Sequence, residues 1–161
     1  MTESPSYFEP HAQVAMIDVG EKPPSKRTAV AQARVRLGPE AYEALTSGRL
    51  RKGDALSAAQ IAGIQAAKRT HELIPLCHPV LLTHVELELQ LQPQEQAVEI
   101  RAYAQAYGPT GVEMEALTAA AVAALTLYDM CKGISRDIEI EAVRLLAKTG
   151  GQSGDYRREA P

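Results

Sequence analysis

Two carboxylates, Glu113 and Glu115, and an Asp/Lys pair, Asp129 and Lys132, bracket a run without a single charged side chain. Groups of these kinds move protons and neutralise phosphate, so both ends of the run are candidates for chemistry. The run itself, alanine-rich with scattered leucines, reads as one helix starting near Thr110 or Gly111. At ~1.5 Å rise per residue, Glu113 and Asp129 lie about 24 Å apart along it. No small-molecule site spans that distance. Either the two tips serve separate purposes, or a second copy of the chain brings its far tip back to the first. Plain structural explanations compete: acidic residues suit a helix N-terminus, and residues three apart make ordinary surface ion pairs.

Two further stretches combine polar groups with restricted backbone. In Arg51-Lys-Gly-Asp54, Lys52 offers a point charge for phosphate or a proton donor, unless this is only a solvated turn leading to a helix cap. In Lys68-Arg-Thr-His-Glu-Leu-Ile-Pro-Leu-Cys-His-Pro79, the two prolines favour an extended backbone over residues 73–79. Successive side chains of an extended segment point apart, which argues against a Cys77–His78 thiolate–imidazolium pair and against joint zinc ligation. With no second Cys/His pair, no metal site is expected. Cys77 reads as a buried structural thiol, and His78 as an acid/base group or hydrogen-bond donor.

The elements that must position these residues follow from hydrophobic period and breakers. Short strands are expected at 14–19 and 28–37, the second closed by Gly38-Pro39, with a short helix at 39–47. Asp54 is a plausible N-cap for a helix over 55–69, with Ile61, Ile64 and several alanines as its buried stripe. Alternation over 80–91 and 97–107, separated by Pro93-Gln-Glu, predicts a β-hairpin with one solvated face. The helix at 113–132 and a strand at 137–147 complete the order strand, helices, hairpin, helix, strand. That is the order of a split βαββαβ unit, an α+β fold with an antiparallel sheet and helices on one face. Residues 1–13 and 151–161 are expected to be flexible ends around a single domain at 14–150.

Bulk properties exclude several classes. With 161 residues, 45% hydrophobic content, no Trp and one Phe, the core must be aliphatic and small-residue-rich. A net charge of −3 gives no long-range attraction for nucleic acid. Two cysteines without a CxxC fit reduced thiols in the cytoplasm. No secretory leader and no run of ~18 apolar residues is read, so no membrane association is expected.

Several blocks, in order, resemble the signatures of molybdenum cofactor biosynthesis protein C, the cyclic pyranopterin monophosphate synthase family. They are Lys68-Arg-Thr-x-Glu-Leu-Ile-Pro-Leu-Cys-His-Pro79, Thr110-Gly-Val-Glu-Met-Glu-Ala-Leu-Thr-Ala119 and Tyr128-Asp-Met-Cys-Lys132. Met16-Ile-Asp-Val19, Arg51-Lys-Gly-Asp54, Ile61-Ala-Gly-Ile-Gln-Ala-Ala-Lys68 and Arg144-Leu-Leu-Ala-Lys-x-Gly-Gly-x-Ser-Gly154 fit as well. The resemblance implies ferredoxin-like subunits in a homohexamer, a trimer of dimers with sites at the dimer interface and no cofactor. It implies a lyase that takes 3′,8-cyclo-7,8-dihydroguanosine triphosphate to cyclic pyranopterin monophosphate and releases pyrophosphate. By motif, Asp129, Lys132 and Lys52 would be catalytic. Leu76, Cys77, His78, Met114 and Glu115 would contact substrate, with Glu113 and Arg27 beside them. Two residues depart from the family pattern, His71 where an aromatic is common and Pro109 where a basic residue is common.

Overall fold

Along residues 25–36 the side chains alternate strictly, with Arg27, Ala29, Ala31, Ala33 and Val35 buried and the residues between them more exposed. The same period over residues 97–108 buries Val98, Ile100, Ala102, Ala104 and Ala106. Paired antiparallel, these two rows face each other as Ala29–Ala104, Ala31–Ala102, Ala33–Ile100 and Val35–Val98, giving a flat floor of small side chains. A helix can lie very close to such a floor.

The computed structural model describes residues 13–160. In chain order its elements are β1 (Ser25–Arg36), α1 (Pro39–Thr46), α2 (Ala55–Lys68), α3 (Thr70–Leu73), β2 (Leu82–Gln92), β3 (Ala97–Gly108), α4 (Glu113–Cys131), β4 (Glu139–Thr149) and β5 (Tyr156–Arg157). One antiparallel sheet runs β2-β3-β1-β4-β5, and its first four strands have the split βαββαβ arrangement expected. Helices α2 and α4 pack on each other and on one face of the sheet. The buried side of α4 is Ala116, Ala119, Ala120, Ala123, Ala124 and Leu127, which sits on the alanine floor. By length and composition α4 could cross a membrane, but half of its apolar window is buried inside this fold.

Local signals explain most boundaries. Asp54 caps α2 by accepting from the Ser57 backbone N–H at 3.2 Å and the Ser57 hydroxyl at 2.6 Å. Gly53 just before it takes φ 98°, a left-handed turn that a side chain would strain. The hairpin turn closes with the Gln96 N–H donating to the Pro93 carbonyl.

Three expectations need correction. Residues 14–19 form no strand, and Val14, Met16 and Ile17 are exposed. Residues 73–79 are not simply extended: α3 runs into them, and a turn closes with the Cys77 N–H donating to the Ile74 carbonyl. In α2, Ile61 and Ile64 face outward, whereas Ala55, Ala59, Gly63, Ala66 and Ala67 are buried. The reason is proximity: a Cβ on Gly63 would press into the Leu87 side chain and the Ala119 carbonyl, so only the smallest residues fit beneath this helix. The tail carries β5, which pairs Ala147 with Arg157 and Lys148 with Tyr156. Of the leading segment 1–13, all but residue 13 lies outside the described residues.

Filling the alanine seam should be costly. Ala120→Leu or Ala102→Leu is expected to lower stability by about 1–3 kcal/mol through overpacking. An unchanged denaturation midpoint in either variant would show that the helix does not sit as close to the sheet as described.

Candidate active site

The tip of α4 nearest Glu113 rests above the end of the alanine row of β1, where Arg27 replaces alanine. Arg27 is 8% exposed and donates from Nε to the Gly108 carbonyl (3.3 Å) and from Nη2 to the Pro109 carbonyl (3.0 Å). It thereby ties β1 to the loop that leads into α4. Pro109, one of the two departures from the family pattern, serves here through its carbonyl. Gly150 and Gly151, with φ of 93° and 89°, pass directly over this arginine, and a Cβ on Gly151 would collide with its guanidinium.

Lys148 reaches the same place because β4 is irregular. Leu145 pairs with Ala31, but Ala147 pairs with Val30 and Lys148 with Ala29. The extra residue rotates Lys148 onto the helix-facing side, which a regular strand would deny it. There its Nζ lies 3.0 Å from Glu113 Oε1. The Glu113 carboxylate folds back over Gly111, where any side chain would strike it. Ser153, from the glycine-rich turn, receives a second hydrogen bond from Lys148 at 3.3 Å.

Glu115, one turn in, is 3% exposed, and burial pushes its carboxyl up to about 7, with the charge of Glu113 adding to the shift. Burial also raises the Cys77 thiol, and the nearby Glu115 raises it further. Both Cys77 and His78 open onto the same cavity, contrary to the opposed directions expected of an extended segment; the turn after α3 supplies the difference. That cavity has a volume of about 310 Å³, and Arg27, Leu76, Cys77, His78, Glu113, Met114 and Glu115 all line it. Seven residues singled out from sequence thus share one wall. Lys22, Lys148, Ile17 and Ser153 line it too and were not singled out. For Lys148 the only available signal was its place in Ala-Lys-x-Gly-Gly, since the strand irregularity is invisible in sequence. His71, the other departure, is exposed on α3 outside this cavity.

The opposite tip of α4 holds a second arrangement. Asp129 accepts from Lys52 Nζ at 2.6 Å and from Lys132 Nζ at 2.9 Å. The hydrogen bond from Lys52, then that from Lys132, holds the Asp129 carboxyl below its usual range. Lys52 comes from the turn before the Asp54 cap, and Lys132 is the C-cap of α4, where a cation also suits the helix dipole. These three residues line a separate, half-open cavity of about 520 Å³. Each side chain remains about half exposed, so the triad is open to solvent rather than a buried strut. Within one chain the two groups never meet, because the whole length of α4 lies between them. Among the described residues no cluster of three or more His, Cys, Asp or Glu is placed to hold a metal ion.

The fold is a split α+β domain with carboxylates and lysines at both ends of its central helix. Comparison with known proteins is more specific. The MoaC family profile matches residues 16–151, and the chain belongs to that family. It is 51% identical over 151 residues to the cyclic pyranopterin monophosphate synthase of Roseiflexus sp. (strain RS-1), covering 94% of this chain and 96% of that protein. It is likewise 51% identical over 154 residues to the protein of that name from Thermomicrobium roseum, covering 96% of this chain and 93% of that one. Molybdenum cofactor biosynthesis protein 1 of Homo sapiens is 55% identical over 157 residues, 98% of this chain. The chain spans only about a quarter of the length of that human protein (25%).

The raised Glu115 carboxyl makes stability depend on pH. Its value of about 7 lies above the 4.5 of a free glutamate, so the native state holds this proton more tightly than the unfolded chain. That contribution is complete below pH 4.5 and disappears as the pH rises through 7. Glu115→Gln, which cannot ionise, should therefore exceed the native chain in stability at pH 8 by about 1–3 kcal/mol and differ little at pH 4. Denaturation at the two pH values checks this; a pH-independent difference would contradict it.

Proposed function

We propose that this chain is a cyclic pyranopterin monophosphate synthase acting on 3′,8-cyclo-7,8-dihydroguanosine triphosphate in the cytoplasm. The observation that carries most weight is that every residue assigned by resemblance lies at one of the two tips of α4, in chemically complementary sets. At the first tip, Leu76, Cys77, His78, Met114 and Glu115 would enclose the ring system, with Glu113 and Arg27 holding the wall in shape. At the second, Lys52 and Lys132 would neutralise phosphate charge, and Asp129 between them would exchange protons with the reacting ring. The reaction opens the purine, recloses it as a pyranopterin, and forms a cyclic phosphate as a substrate hydroxyl attacks the α-phosphorus and pyrophosphate leaves. Cations beside the departing pyrophosphate lower the barrier to that last step.

The two sets would meet across a dimer. Met114, Leu117, Ala121 and Leu125 follow helical spacing along one side of α4, and Met114 and Leu125 are 36% and 57% exposed. Ala121 falls midway between Glu113 and Asp129. A two-fold axis there would set two α4 helices antiparallel, cover the stripe and bring each first tip to the partner's second tip. Three such dimers would make the hexamer. The free thiols Cys77 and Cys131 fit a reducing compartment.

Supplying the cyclised dihydro-GTP should yield pyrophosphate and the pterin product, followed by mass. Lys52→Ala and Asp129→Ala should each reduce turnover at least about 100-fold while leaving the oligomer intact. Normal turnover in either variant would remove that residue from catalysis.

Pooling of tips has its own test. Co-refolded Glu113→Ala/Glu115→Ala and Asp129→Ala/Lys132→Ala chains, each inactive alone, should regain about a quarter of native activity, because mixed dimers hold one intact site of two. No recovery in demonstrably mixed oligomers would place each site within one chain.

A further inference from the structure

Glu115 is the most deeply buried ionisable group of the first cavity, yet among the described residues no cation of its own chain pairs with it. Lys148 is 3.0 Å from Glu113 and Arg27 is bound to the Gly108 and Pro109 carbonyls. Among the described residues, the Glu115 carboxyl accepts only from its own backbone N–H and appears in no ion pair or side-chain hydrogen bond. The charged and titratable groups around it in the cavity are Lys22, Arg27, Cys77, His78, Glu113 and Lys148, and the proposed dimer adds Lys52 of the partner subunit and Lys132 of the partner subunit, both held by Asp129 of the partner subunit. Two effects oppose each other at this position. The helix N-terminus favours an anion, but loss of solvation and the adjacent Glu113 carboxylate favour the neutral acid, and the second pair prevails. A bound triphosphate would add negative charge nearby and strengthen that preference.

We propose that Glu115 is a neutral carboxylic acid in the ligand-bound state and donates its O–H to an acceptor atom of the ligand's ring system, while Glu113 stays paired with Lys148. The two glutamates of Glu113-Met-Glu115 therefore have different tasks, one as wall and one as the group that reads the ring. This rests on the reading that the cavity takes a guanosine-derived triphosphate. It goes beyond that reading by fixing the protonation state and direction of one hydrogen bond. A ring presenting only donors to Glu115 would be rejected, because it would demand the anion.

Calorimetric binding of GTP to the intact oligomer tests this, in buffers of different ionisation enthalpy at pH 8. The native protein should take up close to one proton per site, and its affinity should fall about tenfold per pH unit above neutrality. Glu115→Gln, whose amide N–H can replace the acid as donor, should bind at pH 8 at least as tightly, with no proton uptake and a flat pH profile. Proton release, or binding by the native protein without uptake, overturns the proposal and leaves the nucleotide reading standing. Uptake that persists in Glu115→Gln also overturns it. Absence of GTP binding to the native protein overturns both readings.

Discussion

Close approach between α4 and the sheet is the constraint on which the remaining structure depends. Alanines on both surfaces, Ala29, Ala31, Ala102 and Ala104 below and Ala116 to Ala124 above, leave little room for larger side chains. Dispersion contacts between such surfaces are dense because the atoms meet at close range over a long interface. A floor this shallow has a second effect. Where the alanine row ends, a large side chain lies directly beneath the helix terminus, and Arg27 occupies that place.

From that point the site is built by glycines that leave room for charged side chains. Gly150 and Gly151 take left-handed angles to clear Arg27, and Gly111 stays bare so that the Glu113 carboxylate can fold back toward Lys148. Each glycine serves a nearby charged group. The arrangement gives α4 a rigid N-terminal tip whose paired charges are confined to the wall. The carboxyl of Glu115, unpaired among the described residues, is left facing the cavity. At the other tip the logic reverses, since two lysines overcompensate one aspartate and the group stays open to solvent. One helix thus carries a buried, acid-leaning end and a solvent-open, cationic end, which is what the proposed sharing of one ligand between two copies needs.

Sequence period made much of the fold legible. The alternation in β2 and β3, the Asp54 cap and the uncharged run of α4 each rest on local rules, and all fall where those rules put them. Ile61 and Ile64 were misjudged because hydrophobicity was taken as a measure of burial, whereas in α2 the available space decides, and space favours Ala and Gly. Cys77 and His78 were expected to diverge because two prolines suggested an extended chain. The turn closed by the Ile74 carbonyl turns both toward one cavity.

By itself, the sequence determined the order of the main elements from β1 to β4, the split topology, the spacing of chemical groups at the two ends of α4 and the family to which the chain belongs. These are local or near-local properties, carried by periodicity, caps and contiguous motifs. Only the tertiary structure decided that Lys148 joins Glu113, since an extra residue in β4 changes which face a side chain takes. It alone decided that, among the described residues of the chain, Glu115 has no counterion while Asp129 has two, because burial and pairing depend on chain segments far apart in sequence. Charge at a residue is written in the sequence; whether that charge is compensated is a matter of what folds beside it.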